Sequence, residues 1–419
     1  MDLHNRERFM KQSLLALSLI ATLPLIAEEQ APSSPPIESQ VEEAACEKTC
    51  CEPKKCCCPR YGYLPAYYDL ECDWGAFITV DFLYWYAKES NLSYASKIKA
   101  VQTGDATTVS TSTYKSLDGE WDPGFRVGLG WNMCHDGWDL YLNWTYYNNS
   151  SKSSTSVPDF GQATDFYLPS SGQEALINPW INASFHFNDT SESSARLFDK
   201  VVAQWDLYLN QIDLELGRRS WVSPCFSMRP YAALRGAWVK TKFNTTSSRT
   251  TFDSANSENV QFTFKDRFKS KYWGVGFLVG FQPAWHFSNS FMLYSNFDGA
   301  LIWGDFDTKK REMYLDQRSA GGVPVPQFNT SSQSKSCFSD MQAILDLSLG
   351  LRWERTWCCN RYRTALDLGW EHHMWFDFDH HYQTQGHFSS GSVQGFSSFN
   401  EVISDLMMGG LTLRLKFDF

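Results

Sequence analysis

The stretch "WEHHMWFDFDHH", residues 370–381, gathers more groups able to hold a cation or move a proton than its surroundings do. Five of the nine histidines fall between His372 and His387. On an extended backbone Glu371, His373 and Asp377 share one side with Asp379, so carboxylates and an imidazole could catch a divalent ion. Successive side chains on that side stand roughly 7 Å apart, too far for one strand to close a tetrahedral site. The stretch therefore reads as a strand end lining a wet space. No metal and no cofactor is expected, and Glu371, His373 and Asp377 are the one candidate set. A second dense stretch is "CEKTCCEPKKCCCP", residues 46–59, with six of the twelve cysteines. Their adjacency lacks the paired C-x-x-C spacing of a zinc site and suits disulfide chemistry instead. There is no G-x-S-x-G, Walker loop, H-E-x-x-H or dinucleotide fingerprint, and no enzyme is expected.

The elements that must position these groups alternate with period two. In "WDLYLNWTYY" Trp138, Leu140, Leu142, Trp144 and Tyr146 share one face and Asp139, Asn143 and Thr145 the other. "AILDLSLGLRWE" sets Leu345, Leu347, Leu349 and Leu351 against Asp346, Ser348 and Arg352. "ALDLGWEHHMWFDFD" and the closing "GGLTLRLKFDF" repeat the pattern. In "WDLYLNQIDLEL" the apolar parity switches near Asn210 and Gln211, which predicts a β-bulge. Long polar stretches near 89–120, 149–200, 245–262, 307–338 and 381–400 alternate with tight turns at 134–137, 222–226, 288–290 and 357–361. About ten strands result, or twelve if 149–200 hides a further hairpin.

Ahead of them, Arg6, Arg8 and Lys11 precede the apolar run "LLALSLIATLPLIA", so residues 1–27 read as a signal peptide. Residues 28–73 form a Cys/Pro-rich periplasmic segment without a core of its own. Residues 74–419 carry the strands. Aromatics reach 16% while mean hydropathy is −0.38. Trp74, Trp85, Trp131, Trp138, Trp221, Trp273, Trp353 and Trp357 sit at strand ends, where an aromatic girdle belongs. The net charge of −10 excludes nucleic acid as an expected partner. Long loops at one end, short turns at the other, and strands with one apolar face describe an all-β fold, a transmembrane antiparallel β-barrel. The soluble sandwich it competes with would keep its aromatics inside.

"WGAFITVDFLYWYAKESNLSYA", "GFRVGLGWNMCHDGWDLYLNWTYY", "SPCFSMRPYAALRGAW" and "ILDLSLGLRWE" resemble the Legionella-type major outer membrane protein family, which also occurs in chlamydia-related bacteria. The resemblance spans most of residues 74–419. It implies an abundant barrel in the bacterial outer membrane, a porin passing small hydrophilic solutes. Bacterial barrels of this kind commonly end on Phe, so Phe419 is expected to be a signal read by the barrel-assembly machinery. The Cys-rich segment fits disulfide-linked envelopes of chlamydia-type bacteria.

Strand parity then nominates pore-lining residues: Asp81, Asp139, Asp206, Asp298, Asp346 and Asp367 against Arg126, Arg235, Arg352 and Arg414. Six acids facing four bases predict a weak cation preference. The alternative is a structural or adhesive surface protein with a plugged barrel and host- or partner-binding loops. Cys46, Cys50, Cys51, Cys56, Cys57, Cys58 and Cys72 precede the first strand, and Cys134, Cys225, Cys358 and Cys359 occupy short turns. These eleven would share the oxidising periplasm and cross-link within the chain or to other cysteine-rich envelope proteins. Outer-membrane lipid is the remaining expected partner, with homo-oligomerisation left open.

Overall fold

The computed structural model describes residues 64–65, 70, 75–90, 92–103, 107–133, 136–158, 172–181, 197–253, 258–320, 323–358, 360–387 and 396–419. In chain order the strands are β1 (Leu64–Pro65), β2 (Ala76–Glu89), β3 (Ser93–Thr103), β4 (Thr107–Ser116), β5 (Trp121–Asn132), β6 (Trp138–Ser156), β7 (Glu174–Ile177), β8 (Lys200–Arg218), β9 (Ser220–Ser223), β10 (Phe226–Asp253), β11 (Glu258–His286), β12 (Phe291–Ala320), β13 (Val323–Trp357), β14 (Tyr362–His387) and β15 (Phe396–Asp418). Ten of them close a ring, β10-β11-β12-β13-β14-β15-β2-β5-β6-β8 and back to β10, and each pairing is antiparallel. Closure satisfies the ladder hydrogen bonds without an edge, which a sheet in lipid requires.

Alternation decides what each face meets. On β2, Ile78, Val80, Phe82 and Tyr84 are exposed on the outer wall while Thr79, Asp81, Leu83 and Trp85 are buried inside. The closing stretch behaves alike: Leu411, Leu413 and Leu415 face out, and Thr412, Lys416 and Asp418 face in. Where the strands β13 and β14 pass each other, Gly350 is opposite Gly369. Both leave room for the inward ring of Tyr294; a Cβ on either would come within 2.7 Å of its outer atoms.

Three expectations change. Among the described residues, the segment 149–200 adds no further strands to the ring; β7 joins β3 and β4 in a separate three-stranded sheet. The described residues of the polar stretches near 245–262, 307–338 and 381–400 are strand, because hairpins β10–β11, β12–β13 and β14–β15 continue through them. The bulge expected at Asn210 is absent: β8 pairs without a register shift with both β6 and β10. Its apolar parity switches for another reason. Odd residues face inward throughout, and they are apolar high in the barrel (Trp205, Leu207, Leu209) and polar lower down (Gln211, Asp213).

Candidate functional site

The lower lumen, on the side of the short turns, is built from inward-facing charges. Arg414 grips Asp81 through two bonds of 2.9 and 2.8 Å. Arg126 also reaches Asp81, at 3.2 Å, and holds Glu371 with bonds of 3.1 and 2.9 Å. His373 lies 3.4 Å from Glu371 and 2.8 Å from Asp346. Asp346 in turn bonds Arg235, whose guanidinium is bidentate to Asp213 at 2.8 and 3.0 Å. Two links cross the lumen, since β11 and β12 separate Arg235 from Asp346 and β2 and β15 separate Arg126 from Glu371. Arg352–Asp367 and the set Arg229–Asp139–Glu215 complete the pattern. Planar, forked guanidinium suits such bidentate pairing, and each pair offsets the cost of burying its charges. A cavity of about 120 Å³ lies among these groups, bordered by Arg126, Asp139, Arg235, Asp346, Glu371 and Arg414.

Nine of the ten nominated pore residues stand on this interior face. Asp298 does so as a partner of Tyr231 and Asn296. Asp206 does not. It lies on the outer parity of β8, accepting from Ser150 at 2.7 Å and from Gln204 at 2.9 Å. Its neighbours Trp205 and Leu207 look lipid-facing in sequence but point inward, which inverts the assignment. Trp85, assigned to the girdle, is also inward and 1% exposed, its indole N–H donating to Thr412 at 3.2 Å. Trp131, Trp138, Trp273 and Trp357 are exposed on the outer wall.

Above Trp85 the lumen turns apolar. Trp205, Phe243, Phe268, Tyr272, Phe306, Trp375 and Phe378 from the wall form one buried cluster with Leu92, Tyr94, Leu176, Trp180 and Phe198 from the inserted segments. Trp180 donates its indole N–H to the Ser93 carbonyl at 2.7 Å, and its own carbonyl accepts from Lys310 at 2.8 Å. Asn178 donates to Thr245 and Ser247 at 2.8 and 2.9 Å, tying this cap to β10. Sequence reading missed the cap because its polar connections look like exposed loop.

The candidate metal set does not assemble. A register shift between Trp375 and Asp379, with Asp377 at a φ of 51°, turns Asp377 to the exposed side, away from Glu371 and His373. Among the described residues, the ligand atoms that do converge are those of Glu89, Asp379 and His381, within 4.8 Å of one another and all buried. Glu89 bonds His381 at 2.9 Å and the Trp205 indole at 2.8 Å, and Asp379 accepts from Thr241 at 3.1 Å. Ring closure brings these positions together across nearly 300 residues, which spacing along one strand could not reveal.

Among the described cysteines, Cys225 and Cys358 are exposed at short turns, and Cys337 is exposed on β13. The other nominated cysteines, the signal segment 1–27, nearly all of 28–73 and Trp74 lie outside the described residues. Phe419 donates its backbone N–H to the Ala76 carbonyl at 3.0 Å, beside the start of β2.

A closed ring with an apolar wall and charged lumen is an outer-membrane barrel's arrangement. The family model described as Legionella pneumophila major outer membrane protein precursor matches residues 71–419. The chain belongs to this family. It is a β-barrel of the bacterial outer membrane. No curated protein matches it. Among solved structures it is similar to the outer membrane protease OmpT from Escherichia coli, with 9% identity and a TM-score of 0.32, covering 86% of this chain and 100% of that one. It is also similar to the Pseudomonas putida toluene transporter TodX, with 9% identity and a TM-score of 0.24, covering 82% and 89%. Likeness at this level does not decide the architecture; the ten-strand ring does.

Proposed function

We propose that this major outer membrane protein is a non-enzymatic porin of narrow bore, passing small hydrophilic solutes through a lumen constricted by its inserted cap. The observation that carries this reading is the charged cavity of about 120 Å³ inside the membrane section. A barrel needing only solidity could fill that space with apolar side chains and avoid the desolvation of so many ions. Above it stand inserted segments such as residues 172–181, whose strand is not part of the ring. The cavity is lined by six carboxylates and seven Arg or Lys side chains, and Asp206 is not among them, so the cation preference expected from six acids against four bases should all but vanish.

One observation favours the second reading, a plugged structural or adhesive barrel. Leu176 and Trp180 of the cap are 0% and 3% exposed, as in a permanent core. Planar-bilayer recording separates the two. Stepwise conductance of the folded chain, larger when residues 172–181 are replaced by a short Gly/Ser linker, supports the porin. Silence from both folded proteins sinks it and leaves the structural barrel. Phe419 as an assembly signal and periplasmic cross-linking through the cysteine-rich segment, Cys225 and Cys358 belong to the same proposal. Non-reducing gels of envelopes should show high-mass species that collapse with reductant.

A further inference from the structure

Cations on the outer wall are placed differently from those in the lumen. Trp238, Trp273 and Trp303 form an exposed aromatic belt on β10, β11 and β12. On the long-hairpin side of this belt, the outer face turns from apolar to basic. Lys240 and Lys242 of β10, Lys269 and Lys271 of β11, Lys309 of β12 and Lys335 of β13 all lie on it. The register sets like beside like: Lys240 opposite Lys271, Lys242 opposite Lys269, Lys269 opposite Lys309, and Lys309 opposite Lys335.

Like charges directly opposite one another destabilise a sheet. The chain as a whole carries −10, so the cluster does not follow from a basic composition. Counter-charge on this face is outnumbered by the lysines. Asp307 stands opposite Lys271 and lies 3.4 Å from Lys309 and 3.6 Å from Lys335, so one carboxylate stands among three of the six. Asp206 stands opposite Lys242, yet accepts its hydrogen bonds from Ser150 and Gln204. The Tyr208 ring receives both Lys240 and Lys242, each ammonium 5.0 Å from its centre. Partial burial, then Lys242, Lys269 and Lys271 nearby, holds the Lys240 ammonium below its usual range; Lys269 is lowered alike, by burial and then by Lys271 and Lys309.

Short turns mark the periplasmic end of such barrels and long hairpins the outer one. The ladder therefore sits at the outer leaflet, immediately beyond the belt that marks the edge of the hydrocarbon. Headgroup phosphates occupy that depth. We propose that the lysine ladder binds the phosphates of an outer-leaflet glycolipid of the lipid A type, whose acyl chains lie along exposed Val275, Phe277 and Leu301 below. Ammonium–phosphate contacts supply the counter-charge that the sheet lacks.

The test uses the full chain purified from outer membranes, stripped of lipid, and checked for folding by heat-modifiable migration. Bisphosphorylated lipid A and its dephosphorylated form are titrated in turn, and bound lipid per barrel is counted by native mass spectrometry. The wild type should prefer the bisphosphorylated form by about tenfold or more. Combined Lys240→Gln, Lys242→Gln, Lys269→Gln and Lys271→Gln should abolish that preference, while the matching four Arg substitutions keep it. Should the fourfold Gln protein not fold, Lys242→Gln with Lys269→Gln should show part of the loss. Equal binding of the two lipids by the wild type overturns the proposal. So does unchanged preference in the Gln variants, or equal loss on neutralising Lys88, Lys99, Lys152 and Lys200 elsewhere on the surface. Displacement of lipid A by inorganic phosphate at equal concentration would mark a simple anion site and overturn it as well.

Discussion

Inside the barrel, Arg126, Arg229, Arg235, Arg352 and Arg414 each meet a carboxylate within about hydrogen-bond distance. On the outer wall, Lys240, Lys242, Lys269 and Lys271 meet one another. The same kind of charge is placed by two rules because the two regions offer different solvents. A charge buried in the narrow lumen finds its partner in another side chain, and some carboxylates come across from distant strands. The rim of the outer leaflet supplies counter-charge from outside, so lysines can gather there. Guanidinium, with its rigid fork, makes most of the lower-lumen pairs, and ammonium makes the ladder, although Lys310 and Lys416 also face inward with carboxylate partners.

Breaking the lumen rule should have the largest effect. Arg235→Ala leaves Asp213 and Asp346 buried without their guanidinium, and we expect a loss of about 3–5 kcal/mol in denaturant unfolding. Arg235→Lys should recover only part, since one ammonium cannot reproduce the two bonds to Asp213 and a third across the lumen. A loss below about 1 kcal/mol, the worth of an exposed pair, would mean that water solvates this region freely.

Trp180→Ala comes next, because it removes the cap's largest buried side chain from contact with Phe243 and His381. About 3 kcal/mol of local stability should disappear, read as faster hydrogen exchange in β7 than in the wall strands. The barrel ring itself should stay folded. If exchange rose equally in β2 and β15, the cap and wall would be one cooperative unit instead of a movable insert.

Asp266 tests the upper lumen, where a carboxylate lacks what the lower one provides. It is 1% exposed and has no side-chain hydrogen-bond partner among the described residues. Burial pushes its carboxyl up to about 7, Lys310 opposing and Glu312 adding to the rise. A folded-state value above the unfolded one means that the native state binds the extra proton. Stability from this group is full below the unfolded value of 3.8 and is lost as pH rises toward about 7. Asp266→Asn should therefore stabilise the barrel at pH above 7 by on the order of 1–3 kcal/mol and change little below pH about 4. Unfolding curves at the two pH values give the answer, and a variant equally stabilised at both would contradict it.

Much of the outer wall was legible from period two alone, since lipid-facing positions such as Leu411, Leu413 and Leu415 have no other reason to alternate. Sidedness failed where the interior is apolar too. Trp205 and Leu207 carry no mark distinguishing cap contact from lipid contact, so Asp206 was assigned inward. Asp377 was misplaced because a local register shift is invisible in an unbroken alternation. The site itself was half legible. Parity could say which charges face the lumen, but Arg126 meets Glu371 over a separation of 245 residues, and only ring closure makes them partners.

The smallest expected effect sharpens the comparison from the other side. Lys269 stands between Lys242 and Lys309 in register, so Lys269→Gln relieves two like-charge pairings at once. In lipid-free detergent the change should be neutral or stabilising by about 0.5 kcal/mol, opposite in sign to any loss of a lumen cation. Raising the salt should shrink the gain, because these charges are solvated and screening reaches them within about 10 Å. The Arg235 pairs, shielded from solvent, should respond little to the same salt. Thermal melts of Lys269→Gln and the wild type at low and high salt check both statements. A destabilised Lys269→Gln in detergent would mean that the ladder is held by contacts within the protein, and the outer wall would then follow the lumen's rule after all.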